Sequence, residues 1–445
     1  MQLLNGKQQA LRLGGSIKAP QPIPAAASRI NRRTASSGVR VVAQALPSDS
    51  FPSTNSGGPA SSKVATNAQA TMDAPTKTAV EAATSNGQIG PVRTGATSEP
   101  DFIRLNNGAL LPILGFGTFM LTDPNIFKMA AEVGYRHFDC AAYYKNEKVV
   151  GQGIREWLAA DSNNKREDLF VTSKVFNDSH RPEQVRASAE KTIADLGVGY
   201  LDMMLIHWPN AFKPGMDNDF YGPVCEINAH DMTRDANDVV REAAQSQGDG
   251  KQGGCVTFDE EVTMEDTWQA MEKLVDDGLV RCIGLSNFSH KEVKEVCDMA
   301  RIKPVVNQVE LHPMLGQKKL VDRCFNMGVQ CLAYGPLGGP NAYVPNDLLP
   351  HPVVSRIAQE CGKSNGQVLV RWSMQRGVPV LVKTGTLGRL KENLWGMMDW
   401  RMTDEQMASL NALEAKKRFV DVPWKTWDTS LDDPVSASGT MSSAA

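Results

Sequence analysis

Short apolar segments alternate with amphipathic stretches along the sequence from about residue 101 onward. The apolar segments have the length of buried strands, roughly four to eight residues, and the stretches between them repeat apolar residues at helical spacing. The pattern predicts strands over residues 113–118, 135–139, 169–174, 201–207, 280–284, 304–309, 330–334 and 379–382. It predicts helices near residues 124–133, 146–160, 182–196, 263–277, 289–301, 317–327, 352–375 and 388–395.

Eight strand–helix units in succession predict an α/β fold built on a parallel sheet. Eight is also the number of parallel strands that closes a (β/α)8 TIM barrel, so we expect this architecture. A doubly wound open sheet is the alternative, but it would carry a GxGxxG loop between a strand and a helix. The nearest match, GQGIRE at 151–156, lies inside a predicted helix and lacks the last glycine, so we interpret it as ordinary helix.

Two segments depart from this alternation. Before the first unit, Phe102–Leu105 and Ala109–Ile113 flank an Asn-Gly pair, which predicts a β-hairpin with a type I′ turn. After the fourth strand, about 211–262 shows little periodicity and includes the run AQSQGDGKQGG. Loops of this length are usually functional or disordered. We therefore expect a long insertion on the face that carries the site, with its middle, about 232–254, mobile.

The first 48 residues differ in composition from the rest of the chain. They contain seven Lys or Arg and no Asp or Glu, they are rich in Ala, Ser and Pro, and they lack a long apolar core. This composition is typical of an organellar transit peptide, although a disordered basic tail is the alternative. The run VRVVAQA, ending at Ala45, resembles plastid processing sites more than mitochondrial ones. We therefore expect the chloroplast stroma, with the mitochondrion as the alternative.

Residues 49–100 consist mainly of Ser, Thr, Ala, Gly and Pro with few large apolar side chains. Such a segment buries too little apolar surface to offset the entropy of ordering the chain, so we interpret it as a disordered linker. Residues 101–445 remain as the folded unit. This length suits one large domain better than two.

Composition excludes several classes of function. No apolar run approaches the roughly 20 residues that cross a membrane, so we expect a soluble protein. The net charge of −3 gives no basic footprint for nucleic acid. The eight cysteines show no CxxC pair and the seven histidines no HExxH pattern, so we predict neither a disulfide scaffold nor a metal site. Cys225 and Cys255, both in the insertion, could form a redox-sensitive pair, and free thiols are the alternative.

Polar side chains follow three consecutive predicted strands. Asp139 ends the second strand, Lys174 the third and His207 the fourth, and Tyr144 lies five residues beyond Asp139. Each alone has a structural explanation, as a helix cap, a solvated cation or a packed core histidine. In a parallel barrel, however, catalytic residues lie at the carboxyl ends of strands. An acid, a cation, an imidazole and a phenol at equivalent places predict a centre for proton transfer.

Six motifs in this order, GYRHFDCAAYYKNE, VTSK, LIHWP, GLSNFS, NQVELHP and AYGPLG, resemble the aldo-keto reductase family over about residues 101–425. The resemblance implies an NADPH-dependent aldehyde or ketone reductase, with sugar aldehydes among the candidate substrates. It gives Tyr144 the role of general acid, and Lys174 that of lowering the pKa of this phenol. Asp139 would pair with Lys174, and His207 would orient the carbonyl oxygen.

The resemblance also implies residues that bind the cofactor and the substrate. The cofactor residues are Thr118, Asp139, Ser286, Asn287, Gln308, Tyr334, Leu337, Lys383, Thr384, Arg389, Glu392 and Asn393. At the nicotinamide end, Ser286, Asn287 and Gln308 would hold the carboxamide, and Tyr334 would stack on the ring. At the adenosine end, a 2′-phosphate would be held by Lys383, Thr384 and Arg389. The adenine would face Glu392 and Asn393. The substrate residues are Phe119, Tyr143, Phe176, His207, Trp208 and Trp424.

The chain departs from the commonest family pattern at several positions. Phe119 stands where many members have Trp, and Gly335 replaces a frequent Ser. The insertion and the C-terminal run DVPWKTWD occupy the loops that usually set substrate choice, so the substrate stays open. A short-chain dehydrogenase, suggested by the YxxxK spacing of Tyr144 and Lys148, lacks its Gly-rich loop here. An NADPH-binding regulatory subunit is the other alternative, and we expect a monomer.

Overall fold

The computed structural model describes residues 89–92, 101–215, 256–339, 345–396 and 399–427. The predicted transit peptide, most of the predicted linker and the middle of the predicted insertion lie outside these residues, as do Cys225 and Cys255. The expectations for these segments stay predictions.

The described chain begins with a three-stranded antiparallel sheet of β1 (Gly90–Val92), β2 (Phe102–Arg104) and β3 (Leu110–Pro112). β2 and β3 form the predicted hairpin, with Ile103 opposite Leu111. The predicted type I′ turn is wrong, because the N–H of Gly108 bonds to the carbonyl of Leu105 and neither central residue, Asn106 or Asn107, has a positive φ. Gly108, which follows them, is the residue with a left-handed φ, at 87°.

β1 differs from the prediction, because it lies in the segment 49–100 that we expected to be unstructured. It pairs with β2, whose outer edge offers unpaired backbone groups to any nearby extended segment.

Eight parallel strands then form a closed barrel, which confirms the predicted (β/α)8 TIM barrel. They are β4 (Leu114–Gly117), β5 (His137–Asp139), β6 (Phe170–Val175), β7 (Leu201–Ile206), β8 (Val280–Ser286), β9 (Val306–Glu310), β10 (Gln330–Tyr334) and β11 (Val380–Val382). The barrel closes where Val382 of β11 pairs with Phe116 of β4. All eight strands therefore present their carboxyl ends at one rim.

Helices surround this barrel. They are α1 (Pro124–Val133), α2 (Glu147–Ala160), α3 (Pro182–Leu196), α4 (Met264–Asp276), α5 (His290–Met299), α6 (Lys318–Asn326), α7 (Pro352–Cys361), α8 (Asn365–Gln375), α9 (Leu387–Trp395) and α10 (Asp404–Asn411). Among them, none has both the length and the apolar character that a bilayer crossing requires. The predicted helices lie within a few residues of the observed ones, with two exceptions.

The single helix predicted over 352–375 is wrong, because the chain forms two helices there. Gly362 adopts a left-handed φ of 62° and ends α7, a conformation in which glycine carries no steric penalty. Ser364 then caps α8 and forms a reciprocal capping box with Gln367. The second exception, α10, is capped in the same way by Thr403 and Gln406 and was not predicted.

The glycines of GQGIRE serve helix packing. A side chain at Gly151 would place its Cβ 2.2 Å from the carbonyl oxygen of Leu196, and one at Gly153 would lie 2.3 Å from that of Pro124. Both positions belong to α2, and they face the end of α3 and the start of α1. The prediction of ordinary helix is therefore confirmed, and the two glycines allow its close packing between two neighbours.

The hairpin covers the barrel interior at the end opposite the strands' carboxyl ends. Leu105 and Leu111 are fully buried and pack with interior residues of the barrel, which include Phe170, Met203, Leu205, Leu332 and Leu381. Asn106 fastens the turn by donating hydrogen bonds to the carbonyls of Pro304 and Gly328, which precede β9 and β10. Only the other end of the barrel is left for a binding cleft.

Candidate active site

Side chains alternate between the two faces of each strand, and this alternation directs the predicted polar residues to one end of the barrel. In β6, Val171 and Val175 pack outward against the helices, so Lys174 points into the barrel. Asp139 is the last residue of β5, and His207 directly follows β7. Tyr144 ends a short 3₁₀ turn after β5, and the left-handed residue Lys145 stops this turn. Neighbouring strands therefore deliver all four side chains to the carboxyl-end rim.

Lys174 is the hub of this group. Its ammonium nitrogen lies 2.7 Å from Oδ2 of Asp139, 2.9 Å from the carbonyl oxygen of Cys140 and 3.3 Å from the hydroxyl oxygen of Tyr144. Its side chain is fully buried. Because a buried cation is stable only when it is paired and hydrogen-bonded, these three oxygens hold Lys174 charged and in place.

The surroundings shift the pKa values of both partners in this contact. Burial lowers the pKa of Lys174, but Asp139 and Tyr144 raise it by more, so the pKa lies above its ordinary value. Burial raises the pKa of Tyr144 to about 12, although Lys174 lowers it. Lys174 thus acts in the implied direction and lowers the pKa of the phenol, although the net pKa stays above its ordinary value. Desolvation of the phenolate is the stronger effect.

His207 is neutral at physiological pH. Burial first, and the nearby charge of Lys174 second, hold its pKa well below the ordinary value. Within the described part of the chain its Nδ1 has no hydrogen-bond partner. An unpaired buried N–H is costly, so the tautomer with its proton on Nε2 is favoured. The Tyr144 and His207 ring centroids lie 5.9 Å apart, which places an acid and a neutral donor beside each other.

Four predicted cofactor residues belong to one hydrogen-bond network with the polar centre. Gln308 donates to Oδ1 of Asp139 at 2.7 Å, so both carboxylate oxygens of Asp139 are occupied. Asn287, at a left-handed φ of 63°, donates to the carbonyl of His207 and to the hydroxyl of Ser286. Its amide oxygen accepts the hydroxyl of Tyr334 at 2.9 Å. Asn287 therefore links Tyr334, Ser286 and His207 at the rim.

Thr118 and Leu337 occupy different positions relative to this network. Thr118 follows β4, and its hydroxyl donates to the backbone carbonyl of Asp139 at 2.9 Å, so it joins the polar centre. Leu337 is half-buried and packs at the junction of the barrel core and the layer formed by α7 and α8. No described hydrogen bond or ring contact links Leu337 to the polar centre.

The predicted phosphate segment follows β11. Lys383 and Arg389 are exposed, and neither forms an ion pair with any described residue. Thr384 is buried, and its hydroxyl accepts the backbone N–H of Thr386 at 3.2 Å. Glu392 accepts the hydroxyl of Ser364, the cap of α8, and Asn393 is buried. The segment therefore offers two unpaired cations near the start of α9.

The predicted substrate residues divide into two aromatic groups. The Phe119 ring lies 4.9 Å from that of Tyr144. Tyr143 and Phe176 stack at 4.6 Å, and both rings pack with a buried cluster that contains Trp208 and Trp424. The Trp208 and Trp424 rings pack edge to face, with their centroids 5.1 Å apart. These rings contact Tyr144 and His207 and form an apolar wall beside the polar centre, and their role in substrate binding stays a prediction.

Sequence reasoning missed Phe212, which joins these aromatic residues together. This ring is almost fully buried and lies 6.2 Å from Phe176 and 5.0 Å from Trp424. Phe212 lies inside the predicted insertion, where no periodicity marks a buried position. Its place follows from an antiparallel bridge to Phe258, near the other end of the insertion.

The two ends of the insertion form a short antiparallel ribbon of residues 211–213 and 257–259. Lys213 donates its backbone N–H to the carbonyl of Thr257, and Asp259 donates its own to the carbonyl of Ala211. The guanidinium of Arg181 binds both carboxylate oxygens of Asp259 at 2.7 and 3.0 Å. The insertion therefore joins the barrel through this fixed ribbon of residues 211–213 and 257–259, called here the stem.

Asn146 was predicted only as a helix start, yet it connects two loops of the site. Its amide nitrogen donates to the carbonyls of Thr118 and Leu121, both at 2.8 Å. These two residues flank Phe119, whose ring contacts Tyr144. Asn146 therefore fixes the loop after β4 against the turn that carries Tyr144.

A parallel barrel whose carboxyl-end rim unites Asp139, Tyr144, Lys174 and His207 defines a class of enzyme. The model of the Aldo/keto reductase family matches residues 114–415. The chain belongs to this family, and it is an oxidoreductase of the aldo-keto reductase type.

Individual relatives are similar over almost their whole length. The chain is 38% identical over 333 residues to aldo-keto reductase family 1 member A1 of Gallus gallus, which covers 73% of the chain and 92% of that protein. It is 36% identical over 337 residues to the Homo sapiens protein of the same name, at 73% and 93% coverage. The solved structure of the aldose reductase from Schistosoma japonicum matches with a TM-score of 0.59 and 36% identity, over 71% of the chain and 92% of that structure.

Proposed function

We propose that the protein is an NADPH-dependent oxidoreductase that reduces aldehyde or ketone carbonyls to alcohols, with Tyr144 as the proton donor. The observation that carries the proposal is the buried Lys174, which bridges Asp139 and Tyr144 at 2.7 and 3.3 Å beside a neutral His207. The similarity to proteins named aldo-keto reductase family 1 member A1 and aldose reductase supports this class of substrate.

The side chains suit the two needs of a carbonyl oxygen during reduction. The oxygen gains negative charge and needs a hydrogen-bond donor, which a neutral His207 with its proton on Nε2 supplies. It then needs a proton. A phenol with a pKa of about 12 can give this proton to an alkoxide, since alkoxides are stronger bases than phenolates. Lys174 stabilises the phenolate that remains, and Asp139 keeps Lys174 aimed at it.

Bound NADPH would supply the hydride. The residues of this chain fit such a group. Lys383 and Arg389 are exposed, are not ion-paired within the described residues and lie at the start of α9, where an added phosphate is stabilised. Gln308 uses its amide nitrogen on Asp139 and so leaves its amide oxygen to accept from a carboxamide. A 2′-phosphate partner for the two cations favours NADPH over NADH.

The first test is NADPH oxidation by the purified full chain with aromatic aldehydes, short aliphatic aldehydes, aldoses and uronates, and with NADH run alongside. Turnover of at least one class, faster with NADPH, supports the proposal. Tight binding of NADPH without turnover of any class contradicts it and favours the regulatory-subunit alternative.

The cofactor preference has its own test. Lys383→Met should raise the KM for NADPH by about tenfold and leave that for NADH within about twofold, since only the 2′-phosphate loses a charge partner. The matched control is Lys294→Met, which removes an exposed cation from α5. An equal effect of Lys383→Met on both cofactors would refute the assignment of the phosphate site.

We also propose import into the chloroplast stroma, on the acid-poor, basic composition of residues 1–48. Residues 1–48 fused to a fluorescent protein should carry it into plastids of a plant cell. The same reporter on residues 49–445 is the control and should stay outside. Delivery to mitochondria, or a diffuse signal from the first fusion, would refute this localisation.

A further inference from the structure

The segment 419–427, called here the C-terminal segment, forms part of the aromatic wall. Val422 and Trp424 are almost fully buried, and the Trp424 ring meets those of Trp208 at 5.1 Å and Phe212 at 5.0 Å. The segment has neither helix nor strand, so no backbone ladder fixes it. Its position must therefore come from individual contacts with the barrel.

Glu310 makes the contacts that fasten the start of this segment. It is the last residue of β9 and is 1% exposed. Its Oε1 accepts the backbone N–H of Phe419 at 2.7 Å, and its Oε2 accepts that of Val420 at 3.2 Å. The imidazole of His312 donates to Oε1 as well, at 3.0 Å. Hydrogen bonds to a buried carboxylate are among the strongest that a backbone amide can form.

The strand that carries Glu310 also carries the link to the polar centre. Gln308 and Glu310 are two residues apart in β9 and therefore point to the same side, into the barrel. Gln308 binds Asp139, while Glu310 binds the C-terminal segment. β9 thus fixes the position of the aromatic wall relative to the polar centre.

A second contact holds the other end of the same segment. The ammonium of Lys425 lies 2.7 Å from Oε1 of Glu292 and is nearly buried. Oε2 of Glu292 accepts the backbone N–H of Ser289, which caps α5. Trp424 therefore lies between two fastened points.

We propose that Glu310 is a positioning residue for substrate selection, which holds the C-terminal segment so that Trp424 closes the aromatic wall against Trp208 and Phe212. The proposal rests on the proposed reductase function. Glu310 touches neither Tyr144 nor His207 in any described hydrogen bond, so it acts through the segment. Bulky aldehydes that reach the wall depend on it, and small aldehydes that contact only the polar centre do not.

The test uses Glu310→Gln and Glu310→Ala in the full chain, with Glu272→Gln as a matched control. Glu272 is also a buried carboxylate, at 6% exposure, and accepts two consecutive backbone N–H groups, those of Arg301 and Ile302. It lies on α4 and has no described contact with the C-terminal segment. KM and kcat are measured for propanal and for naphthaldehyde. Amide hydrogen exchange is carried out on the folded protein and read from a proteolytic peptide that contains the C-terminal segment.

We expect Glu310→Gln to raise the KM for naphthaldehyde by about tenfold and to leave both constants for propanal within about twofold. Exchange at Phe419 and Val420 should become faster in Glu310→Gln, and faster still in Glu310→Ala, which removes both acceptor oxygens. Glu272→Gln should change neither the ratio of the two KM values nor this exchange.

Two results would overturn the inference. One is an equal KM ratio in Glu310→Gln, Glu272→Gln and wild type, and the other is unchanged exchange in the segment. If Glu310→Ala does not fold, the Gln variant decides alone. Failure of the wild type to reduce any class of carbonyl in the first panel would instead refute the proposed reductase function, and this outcome is separate, because the wild type is measured first.

Discussion

The ammonium nitrogen of Lys174 lies 3.3 Å from the hydroxyl oxygen of Tyr144 and 5.0 Å from the centre of its ring. The cation therefore stabilises negative charge on the phenol through both the oxygen and the ring face. Burial still keeps the pKa of Tyr144 at about 12, so the phenol stays protonated until a stronger base meets it. Tyr144 is in this way a reservoir for one proton at neutral pH.

Removal of this proton should stop the reaction while the cofactor still binds. Tyr144→Phe keeps the ring that packs on Phe119 and loses only the hydroxyl. A general acid contributes roughly 10²- to 10⁴-fold, so we expect kcat to fall by about 10³. The Kd for NADPH, followed by fluorescence titration, should stay within about twofold. Activity within about tenfold of wild type would refute the role of Tyr144.

The pH profile of reduction should show no histidine step. An ordinary histidine gains a proton near pH 6.5, but burial and Lys174 hold the pKa of His207 well below this value. His207 therefore stays neutral as the pH falls through the ordinary range. We expect kcat/KM for an aldehyde to be flat between about pH 5.5 and 8, measured in buffers of constant ionic strength. An inflection close to pH 6.5 that disappears in His207→Gln would contradict this assignment.

The other end of the barrel should affect stability and not catalysis. Asp202, near the start of β7, is 3% exposed and accepts from Arg166 at 2.7 Å, from the N–H of Val171 at 2.9 Å and from Arg281 at 3.1 Å. Removal of one partner from a buried ion pair costs about 3–5 kcal/mol, so Asp202→Ala should lower the free energy of unfolding by that amount. Urea denaturation measures it, and the KM of the folded enzyme should not change.

Asp277 provides the control for this measurement. Its carboxylate pairs with Arg186, and both side chains are exposed. Exposed pairs contribute about 0–1 kcal/mol, so Asp277→Ala should hardly move the urea midpoint. Similar losses in the two variants would show that the Asp202 cluster is not a buried anchor.

The insertion should be replaceable as long as its stem stays. Exchange of residues 216–255 for a short Gly-Ser turn preserves the ribbon of residues 211–213 and 257–259, and it shortens the loop, which reduces the entropy cost of closing it. We expect a folded enzyme whose kcat/KM for propanal stays within about threefold of wild type. A larger exchange that also removes Phe212 and Phe258 should raise the KM for naphthaldehyde. Equal behaviour of the two variants would refute the role of the stem.

Local signals in the sequence were enough to predict the barrel and its polar centre. Strand periodicity placed Asp139, Lys174 and His207 at strand ends, because alternation and strand length depend on neighbouring residues only. The break between α7 and α8 was missed because the apolar spacing continues on both sides of it. Gly362 is a typical residue for the end of a helix, and Ser364 with Gln367 is a typical capping box for the start of the next one. Periodicity reports a buried face and not the continuity of a helix.

Long-range contacts could not be predicted in this way. Gln308 binds Asp139 across 169 positions, and Glu310 binds Phe419 across 109. No local property of either residue identifies its partner, because the partner depends on how the closed barrel brings distant segments together. The effect of burial on the pKa of Tyr144 could not be predicted for a related reason, since the extent of burial is a property of the folded chain.

The ribbon at residues 211–213 and 257–259 brings both ends of the insertion to one place on the rim. A domain whose own termini lie close together could therefore be inserted between these two ends without distorting the barrel. Because the Phe212 ring contacts those of Phe176 and Trp424, a conformational change in the inserted domain would displace the aromatic wall first. The enzyme could thus be engineered into a sensor whose rate of carbonyl reduction reports the state of the inserted domain.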